Sequence, residues 1–455
     1  MDENQNKTQD GQNVDERIPA PLKSEKKLKI LRTIACVAGA ALIAAAGFAT
    51  GMCVRWYSID PQMRTLIKVK EKIDDHYYEE VTDEKFYGAL FGAVNQEILD
   101  GYSGYMTPEE YAALTSDLKG NRAGLGLVLS TQSAAGQEQM LVTRVCGNSP
   151  AEKAGIAVGS CVVGFGASEN AITPSQSYDE FSEFLSDYDA GEKFYIRIAA
   201  GGVEKTVEIS REEYVENYVF YRTNDSAYAF ETSGACQAIK GGAELSCLQE
   251  DEAYIRIVQF TGNAEKAFEQ AMKLFKAEGK KHLVLDLRGN GGGYLETMQG
   301  IASYFCKDAT WIKPVVAIAD YGEKQEKFHA DKNVYKDYFS TDSRICVLAD
   351  EDSASASECL LGCMLDYGAI EYADICLTEY GGRAKTFGKG IMQTTYLVNI
   401  LDGDAIKLTT AKILWPVSKN CIHDRGVLST DGTKTVARDY TGENELINAI
   451  KSLWR

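Results

Sequence analysis

Histidine and proline are the scarce residues of this chain: its 455 positions hold 4 His and 8 Pro, against 41 Gly. The histidines, at 76, 282, 329 and 423, form no HExxH or comparable cluster, which argues against a histidine-built metal centre. With 45% hydrophobic and 25% charged residues, so little proline marks folded globular protein and excludes a disordered or collagen-like chain. Basic residues are also in deficit, 48 Lys and Arg against 66 Asp and Glu, a net charge of −18. Nucleic-acid binding runs on phosphate neutralisation by clustered Lys and Arg, so no nucleic acid is expected as a partner. The 12 cysteines are scattered, and the pair Cys359 and Cys363 has neither a second pair nor a nearby His to complete a zinc site. Buried, small-hydrophobe cysteines are expected rather than a disulfide framework.

Charge disappears altogether from Thr33 to Val54, a run bounded by Arg32 and Arg55. Its length of about 20 residues is what a helix needs to cross the hydrocarbon core. Lys23, Lys26, Lys27, Lys29 and Arg32 lie upstream and only Arg55 close downstream, so the positive-inside bias puts the N-terminus in the cytoplasm and the rest outside, at the cell membrane. A cleaved secretory signal is the competing reading, with Gly47-Phe48-Ala49 as its cleavage site.

Five segments follow from the composition shifts: a polar cytoplasmic tail (1–32), the transmembrane helix (33–54), a helical region (55–119), a small module of short strands (120–212) and an α/β core (213–455). In the helical region Leu66, Val69, Ile73, Phe86, Leu90, Val94 and Ile98 recur at three- and four-residue spacing. In the small module strand-like runs at Leu125–Leu129, Met140–Val145, Cys161–Phe165, Phe194–Ile198 and Val203–Ile209 alternate with two short helical stretches. The core opens with a strand, a helix on Ala264, Ala267, Phe268, Ala271, Met272 and Phe275 capped at Gly279, and the strand His282–Leu287. The runs Lys313–Ala319 and Ile345–Ala349 are expected as further core strands.

Three places could carry chemistry. Ser355 stands between strand Ile345–Ala349 and a helix whose Ala356, Cys359, Leu360, Cys363 and Met364 share a buried face. Ser355 and Glu358 fit a capping box; equally, a serine hydroxyl at a helix N-terminus can attack a carbonyl, with the Ala356 N–H stabilising the oxyanion. The loop Arg288-Gly289-Asn290-Gly291-Gly292-Gly293 is no dinucleotide fingerprint, because Tyr294 falls where the third glycine should be. Its glycines could still bring bare N–H groups to an oxyanion. Lys389, in Thr386-Phe387-Gly388-Lys389-Gly390, lacks the rest of a P-loop; it is either a solvated surface lysine or one drawn into an apolar site as a general base. Lowering its pKa into the neutral range costs roughly 4 kcal/mol, which burial can supply. The neighbours His423 and Asp424 show no triad geometry.

Together these pieces resemble the C-terminal processing peptidases, or tail-specific proteases, over about residues 60 to 430. The motifs occur in the family's order: Tyr102-Ser103-Gly104-Tyr105-Met106-Thr107-Pro108-Glu109-Glu110-Tyr111, then Gly124-Leu125-Gly126-Leu127, Ser149-Pro150-Ala151-Glu152-Lys153-Ala154-Gly155-Ile156, and Asp286-Leu287-Arg288-Gly289-Asn290-Gly291-Gly292-Gly293. The most specific are Ser353-Ala354-Ser355-Ala356-Ser357-Glu358 and the Lys389 segment with Gln393 four residues on. Between Gly368 and Lys389 the chain is longer than the family usual, with Glu371-Tyr372-Ala373-Asp374 and Gly381-Gly382 as extra sequence, and Gly289 replaces the commoner first Asn of the glycine motif.

The resemblance implies an α/β serine peptidase core of the ClpP/crotonase-like type, carrying an inserted PDZ domain at 120–212. It implies a membrane-anchored endopeptidase in which Ser355 is the nucleophile, Lys389 the base and Gln393 the residue orienting it. Ala356 and Gly292 supply the oxyanion hole, and Gly293, Glu358, Asp366 and Thr386 support the site. Gly124, Leu125, Gly126 and Leu127 hold the carboxylate of a peptide or protein substrate with a free C-terminus. No metal or organic cofactor is implied, and residues 61–98 resemble the family's oligomerising region, which implies a homodimer, although apolar positions alone could equally pack within one chain. The alternative is a proteolytically silent PDZ-based sensing protein on the same scaffold.

Overall fold

The computed structural model describes residues 23–134, 137–174, 177–230, 236–240, 244–399, 403–439 and 444–454. Most of the polar tail, residues 1–22, therefore lies outside the described residues. The chain divides into two compact units, Met1–Leu90 and Phe91–Arg455.

In the first unit a helix spans Lys23–Ser58, and its stretch Lys27–Ser58 is long and apolar enough to cross a membrane, with none of it buried. A second helix, Pro61–His76, starts at the Asp60 cap, whose carboxylate accepts the Gln62 N–H at 2.8 Å. None of its residues is fully buried among the described residues, nor is any of the next helix, Asp83–Ala93.

The second unit holds two large sheets and a smaller module. An eight-stranded sheet runs in the order Ala238–Lys240, Ala227–Phe230, Val219–Arg222, Glu252–Ile257, His282–Asp286, Ile345–Ala349, Ile375–Glu379, Lys434–Ala437. The last five strands are parallel, and Ile345–Ala349 is buried throughout, as both-face coverage requires. Alternation along these strands sorts the two faces. Leu283, Leu285, Val347 and Leu377 join the core under helices Ala264–Ala277, Leu295–Ala302 and Ala356–Asp366, whereas Val284, Cys346, Leu348 and Cys376 meet the helix Asn444–Trp454. The helix Ala264–Ala277 buries all six residues of its expected stripe, and Gly279 takes φ 69° just beyond its end.

One expectation changes. Val315–Asp320 is buried but does not extend the parallel sheet; it pairs antiparallel with Gln325–His329 and Ala405–Leu414 in a separate five-stranded sheet completed by Gly104–Met106 and Ile391–Leu397. An apolar run announces burial on both faces but not the sheet that provides it.

The small module has a six-stranded antiparallel sheet built on Leu127–Ala134, Gln137–Val145, Cys161–Gly166, Lys193–Ala200 and Val203–Ser210, with helices Pro150–Lys153 and Tyr178–Ser186. Met140, Val142, Val162, Phe165, Phe181, Phe194 and Ile196 form its own core, separate from that of the large sheets. Seven of the twelve cysteines are buried, among them Cys359 and Cys363, while Cys36 and Cys53 lie exposed on the long apolar helix.

Candidate active site

The site forms at the carboxyl ends of two adjacent parallel strands, where backbone groups are free to meet a ligand. Strand His282–Asp286 ends in a buried charge cluster. Arg288 grips Asp286 through two nitrogens, at 2.9 and 2.6 Å, and reaches Glu445 at 2.6 Å, while the Tyr254 hydroxyl donates to Asp286 at 2.7 Å. Burial pushes the Asp286 carboxyl up, but the Arg288 guanidinium and these hydrogen bonds outweigh it and hold the group at about 2. This clamp fixes the direction in which the glycine loop leaves the sheet.

The loop then packs against the next strand's exit. Asn290 is fully buried; its amide donates to the Ile257 carbonyl and its side-chain oxygen accepts the Gly292 N–H, both at 2.9 Å. Gly292 has φ 104°, and a Cβ there would stand 2.8 Å from Ser355 Cβ, so only glycine lets this loop touch the serine.

Strand Ile345–Ala349 turns through Asp350–Ala354 into helix Ala356–Asp366. Ser353 braces the turn, donating to the Leu287 carbonyl at 2.8 Å and accepting the Asp350 N–H at 2.9 Å. Ser355 sits at the corner with φ 55° and ψ −113°, a backbone state that costs about 1–3 kcal/mol for a residue with a Cβ. Half of the capping box forms: the Glu358 carboxylate accepts the Ser355 N–H at 3.1 Å, but the serine hydroxyl makes no capping bond. Ala356 N–H donates to nothing among the described residues, as an oxyanion donor must. Gly292 N–H is engaged by Asn290, so of the two expected donors only Ala356 is open in this state.

Glu358 is completely buried and is the junction of the site. Besides Ser355 it accepts from Thr386 Oγ1 at 2.6 Å, Gly388 N–H at 2.8 Å and Lys389 N–H at 2.9 Å. Burial raises its pKa, and the four donors oppose that rise. Thr386 in turn accepts the Val427 N–H at 2.8 Å. The extra sequence before the lysine does not disturb this. Tyr372–Asp374 forms a single 3₁₀ turn, and Gly381-Gly382, both at positive φ, make a two-residue turn closed by paired Tyr380 and Arg383. Lys389 lies over the ring of Tyr102, 5.2 Å from its centroid. Burial pulls its pKa below the ordinary lysine value and the charge of Lys407 adds to this, while Asp100 and Glu358 oppose it.

Three expected members stand elsewhere. Gln393 makes no hydrogen bond to Lys389; its amide donates to Thr409 Oγ1 at 3.4 Å, from a strand with a bulge between Met392 and Gln393. Asp366, at the far end of the serine helix, accepts the Val417 and Ser418 N–H groups at 2.7 and 2.9 Å. Gly293, at φ 139°, packs its Cα on Phe260, where a Cβ would approach the carbonyl oxygen to 2.2 Å. Lys389 likewise forms no hydrogen bond to Ser355. Sequence reasoning missed Tyr102 as the lysine's neighbour, although the motif Tyr102 to Tyr111 flagged its segment.

In the small module, Gly124 ends a short strand and Leu127 begins the next. The Leu125 and Gly126 N–H groups between them donate to nothing among the described residues. Gly126 has φ 79°, and a Cβ there would stand 2.1 Å from Ser149 Cβ.

A cleft of about 860 Å³ joins these parts: Tyr102, Lys389, Ala354 and the glycine loop on one side, Val128, Thr143, Ala157 and Val158 of the small module on the other.

Residues 251–430 match peptidase family S41. The chain is 26% identical over 367 residues to the CtpA-like serine protease of Staphylococcus saprophyticus and 28% identical over 356 residues to that of Staphylococcus haemolyticus, covering 80% and 78% of this chain. The matches span 64% and 61% of those proteins, just under two thirds of their length. A solved structure of an S41 protease from Bacteroides fragilis, 14% identical, superposes with TM-score 0.51 over 82% of this chain and 90% of its own, a likeness of fold. The serine corner, the buried glutamate and the glycine loop all lie in the segment, residues 251–430, that matches peptidase family S41.

Proposed function

We propose that this chain is a serine endopeptidase anchored in the cell membrane through the helix Lys23–Ser58, with its catalytic part outside the cytoplasm and substrate C-termini recognised by a PDZ domain at 120–212. The observation that carries the reading is the strained Ser355 at a helix N-terminus, fixed through Glu358 to the segment that bears a partly desolvated lysine.

Ser355 Oγ attacks the substrate carbonyl, and its proton passes to neutral Lys389 as the C–O bond forms. The Ala356 N–H and the helix dipole stabilise the oxyanion, joined by Gly292 N–H once Asn290 releases it. Collapse expels the amine, which takes the proton back from Lys389; water then attacks the acyl-enzyme with the same base. In the resting arrangement described above, Lys389 must leave the Tyr102 face to reach Ser355, and Gln393 would orient it there. The Leu125 and Gly126 N–H groups fit a terminal carboxylate added beside the strand Leu127–Ala134. A homodimer through residues 61–98, whose apolar positions are half-buried or exposed among the described residues, belongs to the same reading.

The test is cleavage of an unfolded reporter with an apolar, free C-terminus by the purified chain, beside its Ser355→Ala and Lys389→Ala variants and an amidated reporter. Loss in both variants supports the Ser-Lys centre, and slower cleavage of the amidated reporter supports carboxylate recognition. Reporter bound but uncleaved by the wild type would favour the proteolytically silent sensing protein.

A further inference from the structure

Of the cationic side chains on the cleft wall, Arg256 stands apart. Arg288 is held by Asp286 and Glu445, Arg438 binds Asp350 at 2.6 Å, Arg144 binds Glu216 at 3.2 Å, Arg222 lies over the Tyr254 ring and donates to the Glu244 carbonyl at 3.4 Å, and Lys389 rests on Tyr102. Arg256 leaves strand Glu252–Ile257 beside Asp286, and its guanidinium approaches the start of the glycine loop, where a Cβ at Gly289 would stand 4.0 Å from Nη2. Among the described residues it has no ion pair and no hydrogen bond, and its Nε is shielded from solvent without an acceptor. The acids around it are taken. Asp286 feels the Arg256 charge but gives its hydrogen bonds to Arg288 and Tyr254; Asp350 accepts from Arg438, Gly289 N–H and Ser353; Glu445 accepts from Arg288, Thr378 and Asp439 N–H.

An N–H shielded from water without an acceptor, as at Arg256 Nε, is unfavourable unless a ligand supplies one. The planar guanidinium matches a carboxylate, which it can bind through two parallel hydrogen bonds. A chain of net charge −18 repels acidic peptides at long range, so a carboxylate in the cleft needs a local cation whose hydrogen-bond donors are unused. We propose that Arg256 is a specificity-determining residue, binding a carboxylate of the polypeptide lying in the cleft, from an Asp or Glu side chain or from the chain's own C-terminus. This rests on the peptidase reading.

The test uses the full chain in detergent and matched peptide reporters in which Asp or Asn is placed at one position at a time on both sides of the scissile bond, each with a free or amidated C-terminus. Wild type is expected to favour at least one carboxylate-bearing reporter by about tenfold or more in kcat/KM. Sensitivity to Asp against Asn assigns a side-chain carboxylate; sensitivity to amidation that Arg256→Gln removes assigns the C-terminus. Arg256→Gln brings the acid-to-neutral ratio to about one, Arg256→Lys retains part of it, and Arg256→Glu turns the preference toward a Lys-bearing reporter, a reversal that loss of structure would not produce. No preference in wild type, or a preference unchanged in Arg256→Gln, overturns the proposal. If wild type cleaves none of the reporters, the peptidase reading fails separately, and fluorescence anisotropy of the same peptides on the Ser355→Ala chain decides: an acid preference lost in Ser355→Ala/Arg256→Gln upholds the carboxylate site, and equal binding overturns it.

Discussion

The amides of Ser355 and Lys389 donate to the same atom, Oε2 of Glu358. The proposed nucleophile and base are thus tied through main chain, while neither side chain is held by a hydrogen bond among the described residues. Glu358→Gln would turn an NH₂ toward a nest of four donors, leaving several of them unpaired in a dry interior. We expect kcat to fall at least a hundredfold and the melting temperature to drop by several degrees; a Glu358→Gln chain with wild-type kcat would remove the glutamate from the site.

The charge of Lys407 acts on Lys389. A base must be neutral, so activity should rise with pH through the Lys389 ionisation, which lies below the ordinary lysine value because of burial and Lys407. Lys407→Gln removes the repulsion, raises the Lys389 pKa and moves the rising limb of kcat/KM to higher pH. A pH-rate profile that does not move would show that another group titrates.

Gly362 lies in the middle of the serine helix, where Gly→Ala ordinarily stabilises by about 1 kcal/mol. Here a Cβ would stand 2.2 Å from the Trp415 ring. Gly362→Ala should instead destabilise by about 1–3 kcal/mol through overpacking, read by urea denaturation. A stabilised variant would mean the helix and Trp415 are not in this contact.

Much of this was legible beforehand, and the reasons differ by residue. The serine helix and the helix Ala264–Ala277 announce themselves because a buried stripe at 3.6-residue period has no other use. Glu358 was visible as a capping partner, but its bonds to Thr386, Gly388 and Lys389 cross 28 to 31 positions, and no local pattern encodes them. Nor could spacing show that Gln393 faces Thr409 instead of Lys389, since a bulge beside it breaks the alternation that spacing relies on. Arg256 was invisible for the opposite reason: one arginine in a strand carries no pattern, and its lack of a partner exists only in three dimensions.

Asp286 is held at about 2, below its unfolded value near 4, so its stabilising effect is full above about pH 4 and is lost as pH falls toward 2. The loss should be about 2 kcal/mol, and acid titration followed by circular dichroism should show a shallower decline for Asp286→Asn, whose starting stability is lower. An identical acid limb in both chains would place the acid-sensitive group elsewhere.

The closed Gly381-Gly382 turn carries a practical consequence. Because Tyr380 and Arg383 pair across it, the path from the serine helix to Lys389 is fixed before and after the turn, and its tip is insulated from both. Length can therefore be added there without altering where the lysine arrives, which makes the Gly381–Gly382 junction the natural point to insert an epitope or a fluorescent label into the working chain.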